Sequence, residues 1–450
     1  DPADPAAWTT LGNVLAATGR GGAAERAHMR AIRLAPGLSP AWDNLGVTLM
    51  ALGRDGEAEA CHRRAVAGMA DAPAVWGNLA AALRSQGQWT AARRALNRAL
   101  ALSPADPGIF AGLTRLLRFT DAEPLKNHWL DRAFRLAPDF PAIAFNLGLE
   151  LLRAGDLSDG WRGYERRFDA PELAFAKPDP PGSLWRGENL AGRRLLIWGE
   201  QGVGDQILFA SMLPDVMARA AREGGRVALG FDPRLGGLLA SSFPAADIIA
   251  DVRRPGRVDY HCGVGSLAAL FRRRLADFPP QAAHYLAPDS ALAALWRRRA
   301  CGSAWRGAAL LTGERRREYF ELGDLDSLLT APGVTAINLM YGAETEVAAA
   351  KAAGARLFGW PDLDLKNDFS AVAALIVQLD LVIAPAVSVA ELSAALGVPT
   401  WRLTSHGDWT RLGTAVRPWG PSQMILTPAR GEDMCGLSRG LAALLAKLAQ

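Results

Sequence analysis

Half of the 450 residues are hydrophobic and 21% are charged, which supplies apolar material for two or three folded cores and excludes an intrinsically disordered chain. The formal charge of +4 comes from arginine clusters (Arg272–Arg274, Arg297–Arg299, Arg315–Arg317) that lack the interleaved aromatics of a nucleic-acid surface. Cys61, Cys262, Cys301 and Cys435 form no C-x-x-C, so neither a disulfide scaffold nor a cysteine zinc site is readable, and a reducing, cytoplasmic setting fits best.

No uncharged apolar run reaches the roughly 18 residues that span a bilayer. The opening "DPADPAAW" has no basic stretch followed by an apolar one, and reads as cut from within a longer chain. Its first third repeats itself with a period of 34 residues. Trp8, Trp42, Trp76 and Phe110 fall in register, as do Leu11, Leu45, Leu79, Leu113 and Leu147, and Ala31, Ala65, Ala99 and Ala133. Gly19, Gly53, Gly87 and Gly155 mark turns between paired helices; Pro36, Pro104 and Pro138 close repeats. Each short amphipathic pair cannot bury its apolar face alone, so neighbours stack, with alanines where helices approach closely. Residues 4–168 resemble the tetratricopeptide repeat. The fourth repeat departs from it, because "TDAEPLKNHW" lacks the turn glycine and carries Lys126 at the small position. Asn44, Asn78 and Asn146 recur just before the core leucine, whereas Thr10 and Gly112 interrupt the series. An amide there either binds an extended peptide, as in the similar ladder of the O-linked N-acetylglucosamine transferases, or bonds locally between helices.

A proline-rich connector, residues 169–189, separates this array from a different texture. Apolar runs "RLLIWG", "RVALGF", "AALLTG", "VTAINLM", "ARLFGW", "LDLVIAP" and "PTWRLT" alternate with helical patterns, which predicts two parallel sheets covered by helices, over about 190–304 and 305–450.

The first strand breaks into "GEQGVGDQ". Gly199, Gly202 and Gly204 allow a sharp turn that brings backbone N–H groups near a ligand at a helix N-terminus starting about Asp205. The loop is neither a Walker A nor G-x-G-x-x-G, so a nicotinamide-dependent dehydrogenase is disfavoured. Asp205 is either a helix cap or a chemical group. "LLIWGEQGVGDQILFASMLPDV" resembles the first strand, loop and helix of bacterial tetratricopeptide-linked glycosyltransferases related to the heptosyltransferases. The resemblance implies a GT-B fold, two Rossmann-like domains with acceptor on the first and nucleotide-sugar on the second. It also implies Asp205 as general base, with Glu200 next, and Gly202 and Gly204 beside the donor.

"DLVIAPAVSVAELSAALGVPTW" is similar to the family's donor-cradling segment, but where heptosyltransferases show D-T-x-x-x-H it reads Ala386, Val387 and Glu391, with Ser388 in the loop. Arg317, in "GERRREYF", aligns with a lysine that meets donor phosphate in that family; the alternative is a solvated basic helix start. Tyr341 and Gly342 end "INLMYG", a place for a base or sugar contact, or a plain strand edge. Trp401, Trp409 and Trp419 read as packing between the domains and the C-terminal tail. The D-x-D sequences at Asp324–Asp326 and Asp362–Asp364 read as local structure, with Asp368 capping the next helix, so no metal is expected. His28, His62, His128, His261, His284 and His406 show no metal or triad spacing.

The run from "PGVTAINLMYG" to "PWGPS" resembles the tetratricopeptide-bearing flagellin glycosyltransferases of alphaproteobacteria. That resemblance implies transfer of a nonulosonic acid, pseudaminic-type, from a CMP-linked donor to Ser or Thr of flagellin held by the repeats. Because the D-T and His are missing, the alternative is an inactive glycosyltransferase-like adaptor or chaperone for a secreted protein.

Overall fold

The computed structural model describes residues 1–104, 106–117, 135, 140–170, 178–279, 284–301, 307–310, 325–331, 335–404, 408–420, 422–428 and 434–448. The chain forms two compact units, Asp1–Leu147 and Gly148–Gln450.

The first unit is the helical array: α1 (Pro5–Ala17), α2 (Gly21–Leu34), α3 (Ser39–Ala51), α4 (Asp55–Gly68), α5 (Pro73–Ser85), α6 (Trp89–Leu102) and α7 (Pro107–Leu117). Each turn after a first helix needs a left-handed residue, and Gly19, Gly53 and Gly87 supply it with φ of 75°, 75° and 72°. Repetition extends to single bonds. The indole N–H groups of Trp8, Trp42 and Trp76 donate to the carbonyls of Pro2, Pro36 and Ala70, each at 2.9 Å, and tie α1, α3 and α5 to the chain ahead of them. Ala31, Ala65 and Ala99 are fully buried where second helices pack. The expected fourth-repeat turn around Lys126 and Ala133 lies outside the described residues.

The second unit begins within helix Pro141–Ala154 and continues through helix Leu157–Tyr164. Residues 148–168, expected with the repeats, therefore belong to the α/β half. The cause is visible in their side chains: Trp161 and Tyr164 are buried against Trp409, and Trp161 also donates to the Arg272 carbonyl at 2.8 Å.

Two all-parallel sheets follow. The first has the order β1 (Ser183–Leu184), β5 (Tyr260–Gly263), β2 (Arg194–Trp198), β3 (Arg226–Gly230), β4 (Asp247–Ile248). The second has the order β11 (Gln423–Leu426), β10 (Thr400–Leu403), β9 (Leu381–Ala384), β6 (Gly307–Leu310), β7 (Thr335–Asn338), β8 (Leu357–Phe358). Both are covered on two faces, which is why β2 and β9 read as continuous apolar runs and are buried nearly throughout. In the first sheet the chain runs outward from β2 through β3 to β4, then returns to the other side of β2 as β5. The second does the same, with β9 returning beside β6. Such reversals open a crevice at the carboxyl ends of the strands, and in open parallel sheets this is where ligands bind.

Candidate functional site

The loop after β2 leaves one of these reversal points. Gln201 takes a left-handed backbone, φ 61°, uncommon for a residue with a side chain, and two contacts hold it and its neighbour. The Gln201 amide donates to the Tyr164 hydroxyl at 2.6 Å. Glu200 accepts a two-pronged bond from Arg167 (Nε to Oε2 2.6 Å, Nη2 to Oε1 2.7 Å) and a third from the Gly265 N–H at 2.9 Å. Both charged side chains are sealed from solvent. Glu200, expected as the second candidate base, is thus placed as an anchor: its oxygens are occupied and no water reaches it. Gly199 is required by crowding, since a Cβ there would fall 2.2 Å from Gln206 Oε1 and 3.1 Å from the Phe231 backbone.

The helix that follows spans Val203–Phe209, two residues earlier than expected. Asp205 is its third residue and reaches back to the Gly202 N–H at 3.2 Å, satisfying one of the helix's unpaired donors. Burial, then the charge of Glu391, push its carboxyl up to about 6; the Gly202 bond opposes the shift, Glu200 adds to it, and Arg402 opposes it. A carboxyl titrating there can accept a proton near neutrality, which an ordinary aspartate does poorly.

Across from this loop stands the matching segment of the second sheet. After β9 the chain turns through Pro385–Val387 into helix Ser388–Ala395, whose cap residue Val387 offers no side-chain bond to the first N–H groups. Gly204 packs on this turn, where an added Cβ would sit 3.4 Å from the Ser388 Cα. The two glycines expected at the donor both face protein groups: Gly202 gives its N–H to Asp205, and Gly204 lies beside Ser388 and Glu391 at ordinary contact distance.

Glu391 is held as firmly as Glu200. Its Oε1 accepts from Arg402 at 2.6 Å and Arg417 at 3.0 Å, and its Oε2 from Arg417 at 2.7 Å. Arg417 also donates to Thr410 and Gln423 at 2.7 and 2.6 Å, while Arg402 lies 3.1 Å from Asp408. Where the heptosyltransferase-like pattern has an imidazole, this chain has a buried carboxylate balanced by two guanidinium groups.

The other expected site residues are dispersed. Tyr341 is 40% exposed, with Lys366 Nζ 5.4 Å from its ring centre. Gly342 beside it takes φ 67°. Both follow β7, separated from β9 by β6, so about 10 Å of sheet lies between the two segments. Arg317 and Asp324 lie outside the described residues. Asp362 pairs with Arg299, Asp364 accepts from the N–H groups of Lys366 and Asn367, and Asp368 caps Phe369–Ile376 as expected. Among the described residues no group of three His, Cys, Asp or Glu is placed to hold a metal.

In the array, Asn78 donates from Nδ2 to Asp43 Oδ2 at 3.0 Å, and Asp43 Oδ1 stands 2.7 Å from His62 Nδ1. Local bonding between helices thus accounts for Asn78. Asn44 is half-buried and Asn146 buried.

Sequence reasoning missed Tyr164, Arg167, Arg402 and Arg417. For Arg402 a signal existed, a lone charge inside the apolar run "PTWRLT"; the others carry none without the fold.

Tetratricopeptide repeat family profiles match residues 43–69 and 73–116. Protein FlbA of Caulobacter vibrioides is 35% identical over 302 residues, covering 60% of this chain and 49% of FlbA, so the chain spans about half of that relative's length. An O-GlcNAc transferase of Thermobaculum terrenum is similar in structure over 99% of this chain and 91% of its own, at 18% identity and a TM-score of 0.46. PilF of Pseudomonas aeruginosa is similar over 49% of this chain and 87% of its own, at 17% identity and a TM-score of 0.35. No helix among the described residues is long and apolar enough to cross a membrane. The chain thus carries tetratricopeptide repeats ahead of an α/β half built on two parallel sheets, and is similar to FlbA over 302 residues.

Proposed function

We infer that the protein is an O-glycosyltransferase that binds flagellin through its repeats and transfers a nonulosonic acid of the pseudaminic type from a CMP-linked donor to Ser or Thr. The observation that carries the reading is Asp205. It stands at the carboxyl end of β2, at a reversal point of the sheet, with a proton affinity raised to about 6. A Ser or Thr hydroxyl is a weak nucleophile. As its oxygen forms the bond to the anomeric carbon, Asp205 takes the proton and the bond from that carbon to the departing CMP phosphate breaks. Raising the affinity of the base toward neutrality aligns it with this task. The start of Ser388–Ala395, which has no side-chain cap, is a natural place for phosphate charge.

A second reading, an inactive adaptor or chaperone, draws on the closeness of Gly204 to Ser388 and on the engagement of Glu391 by Arg402 and Arg417. Mass spectrometry of flagellin co-expressed with the protein and supplied with CMP-, UDP-, GDP- and ADP-sugars separates the two. A mass increment with the CMP donor alone supports transfer, and an unmodified flagellin with every donor supports the adaptor.

A further inference from the structure

The segment Tyr164 to Arg167 lies near the start of the α/β half. We propose that Tyr164 and Arg167 are positioning residues that set the loop carrying Asp205. This rests on Asp205 as the base.

Gln201 is the residue that turns the loop. A left-handed backbone at a glutamine costs on the order of 1 kcal/mol and persists only where surroundings impose it. Glycine would take this conformation freely, and the loop already carries glycine on both sides of the Glu200–Gln201 pair. What a glutamine adds is its amide, and the amide is spent on the Tyr164 hydroxyl at 2.6 Å. Tyr164 itself cannot shift: it is 1% exposed, packed edge-on against Trp161, and lies beside Phe209 and Trp409. Next to it, Arg167 grips Glu200 at 2.6 and 2.7 Å, and is fixed in turn by Glu165 at 2.8 Å and Ser266 at 2.8 Å. The guanidinium lies over the Tyr164 and Phe168 rings, at 4.5 and 4.2 Å, so the two grips form one assembly. Two consecutive loop residues are thereby pinned to one rigid segment. Four positions after Gln201, Asp205 lies within electrostatic range of Glu391 in helix Ser388–Ala395, of Glu200, of Arg402 in β10 and of Tyr164.

The test uses the full chain with Tyr164→Phe, Gln201→Gly and Asp205→Asn. Tyr164→Phe removes one oxygen and keeps the ring; Gln201→Gly removes the anchor and relieves the backbone. Each is expected to lower kcat about 10- to 100-fold, the size of effect that small misplacements of a reacting group produce, with acceptor KM unchanged. Each is also expected to move the acidic limb of the pH–rate profile below its position in the parent, as Asp205 gains access to water. Gln201→Gly relieves the backbone but takes a hydrogen-bond donor from the buried Tyr164 hydroxyl, so its unfolding midpoint should stay close to the parent's. Parental kcat and an unmoved acidic limb in Gln201→Gly, alongside an inactive Asp205→Asn, overturn the positioning role and leave the base intact. An active Asp205→Asn overturns the base instead. Carboxyl 13C NMR titration of Asp205 then tests positioning without any substrate: a lower midpoint in Tyr164→Phe supports it, and an identical one overturns it.

Discussion

Replacing Asp205 by asparagine should make the protein more stable and less active, and the stability gain should depend on pH in a defined way. Folding raises the carboxyl from its ordinary 3.8 to about 6, with burial as the main cause. Between those values the folded state binds more protons than the unfolded one, so stability falls as pH rises through the window. At 1.36 kcal/mol per pH unit the ionised carboxylate costs the fold up to about 3 kcal/mol at pH 7 or above. Asparagine carries no charge and still offers an oxygen to the Gly202 N–H. The variant should therefore gain about 1–3 kcal/mol at pH 7.5 and almost nothing at pH 4. Urea unfolding of parent and variant at pH 4, 5, 6 and 7.5, followed by a probe of the α/β half, reads this directly. Transfer to flagellin, measured in parallel, should fall about 10²–10⁴-fold, since the proton acceptor is gone. A variant less stable than the parent at pH 7.5, or a gain that does not vary with pH, would refute the electrostatic account of Asp205. A variant with full transferase rate would refute its role as base.

Glu200→Gln should destabilise the α/β half by roughly 3 kcal/mol, the lower end for breaking a buried pair, because Arg167 keeps Glu165 as a partner; equilibrium unfolding checks it. Asn78→Ala should lower the stability of the array by about 0.5–1.5 kcal/mol through loss of the Asp43 bond, as thermal unfolding would show. Asn44→Ala should leave that stability near the parent's and weaken flagellin binding about 2- to 13-fold in a titration, the worth of one side-chain hydrogen bond. Transfer should proceed at full rate in excess chelator, and a requirement for added manganese or magnesium would show that a carboxylate cluster has been misread.

The repeats were legible because a helical array writes its contacts at fixed intervals: a tryptophan that bonds the preceding chain, an alanine at each close approach and a glycine at each left-handed turn recur at one spacing. Parallel strands were legible for a similar reason where they lie in longer apolar runs: β2, β3, β9 and β10 are buried nearly throughout, and β6, β7 and the two-residue β8 fall within such runs as well. β1 and β4 span two residues each and β5 reads "YHCG", so none carries a pattern long enough to recognise; β5 is strand because β1 and β2 flank it. The position of Asp205 after the glycines could be read, but its environment could not. Glu391 and Arg402 belong to the other sheet, and Arg417 lies in a loop between β10 and β11; Arg167 is 33 residues upstream of Glu200. Partners so far apart leave no local trace. Glu200 shows the limit most clearly, since an acid in a glycine-rich loop reads as reactive until the arginine that occupies it is seen.

The charge balance around the two facing loops constrains how any phosphorylated donor enters. Glu165, Glu200, Asp205, Glu391 and Asp408 supply the negative side; Arg167, Arg402 and Arg417 the positive, and each of these arginines is bonded to a buried carboxylate. Drawing Arg402 or Arg417 onto a donor phosphate would strip Glu391 of a partner inside the protein, at a cost of several kcal/mol that one new ion pair does not repay. The arginines therefore stay with Glu391, and under the proposed function a donor phosphate would be met by other groups. The start of Ser388–Ala395 has backbone N–H groups without a side-chain cap, and the resemblance to donor-cradling segments points to the same place. Gly204 now lies against that turn. Under the proposed function a donor phosphate at this turn would lie beside Gly204, where an added Cβ makes only ordinary van der Waals contact with Ser388 and Glu391, so Gly204→Ala should leave the spacing of the two loops unchanged.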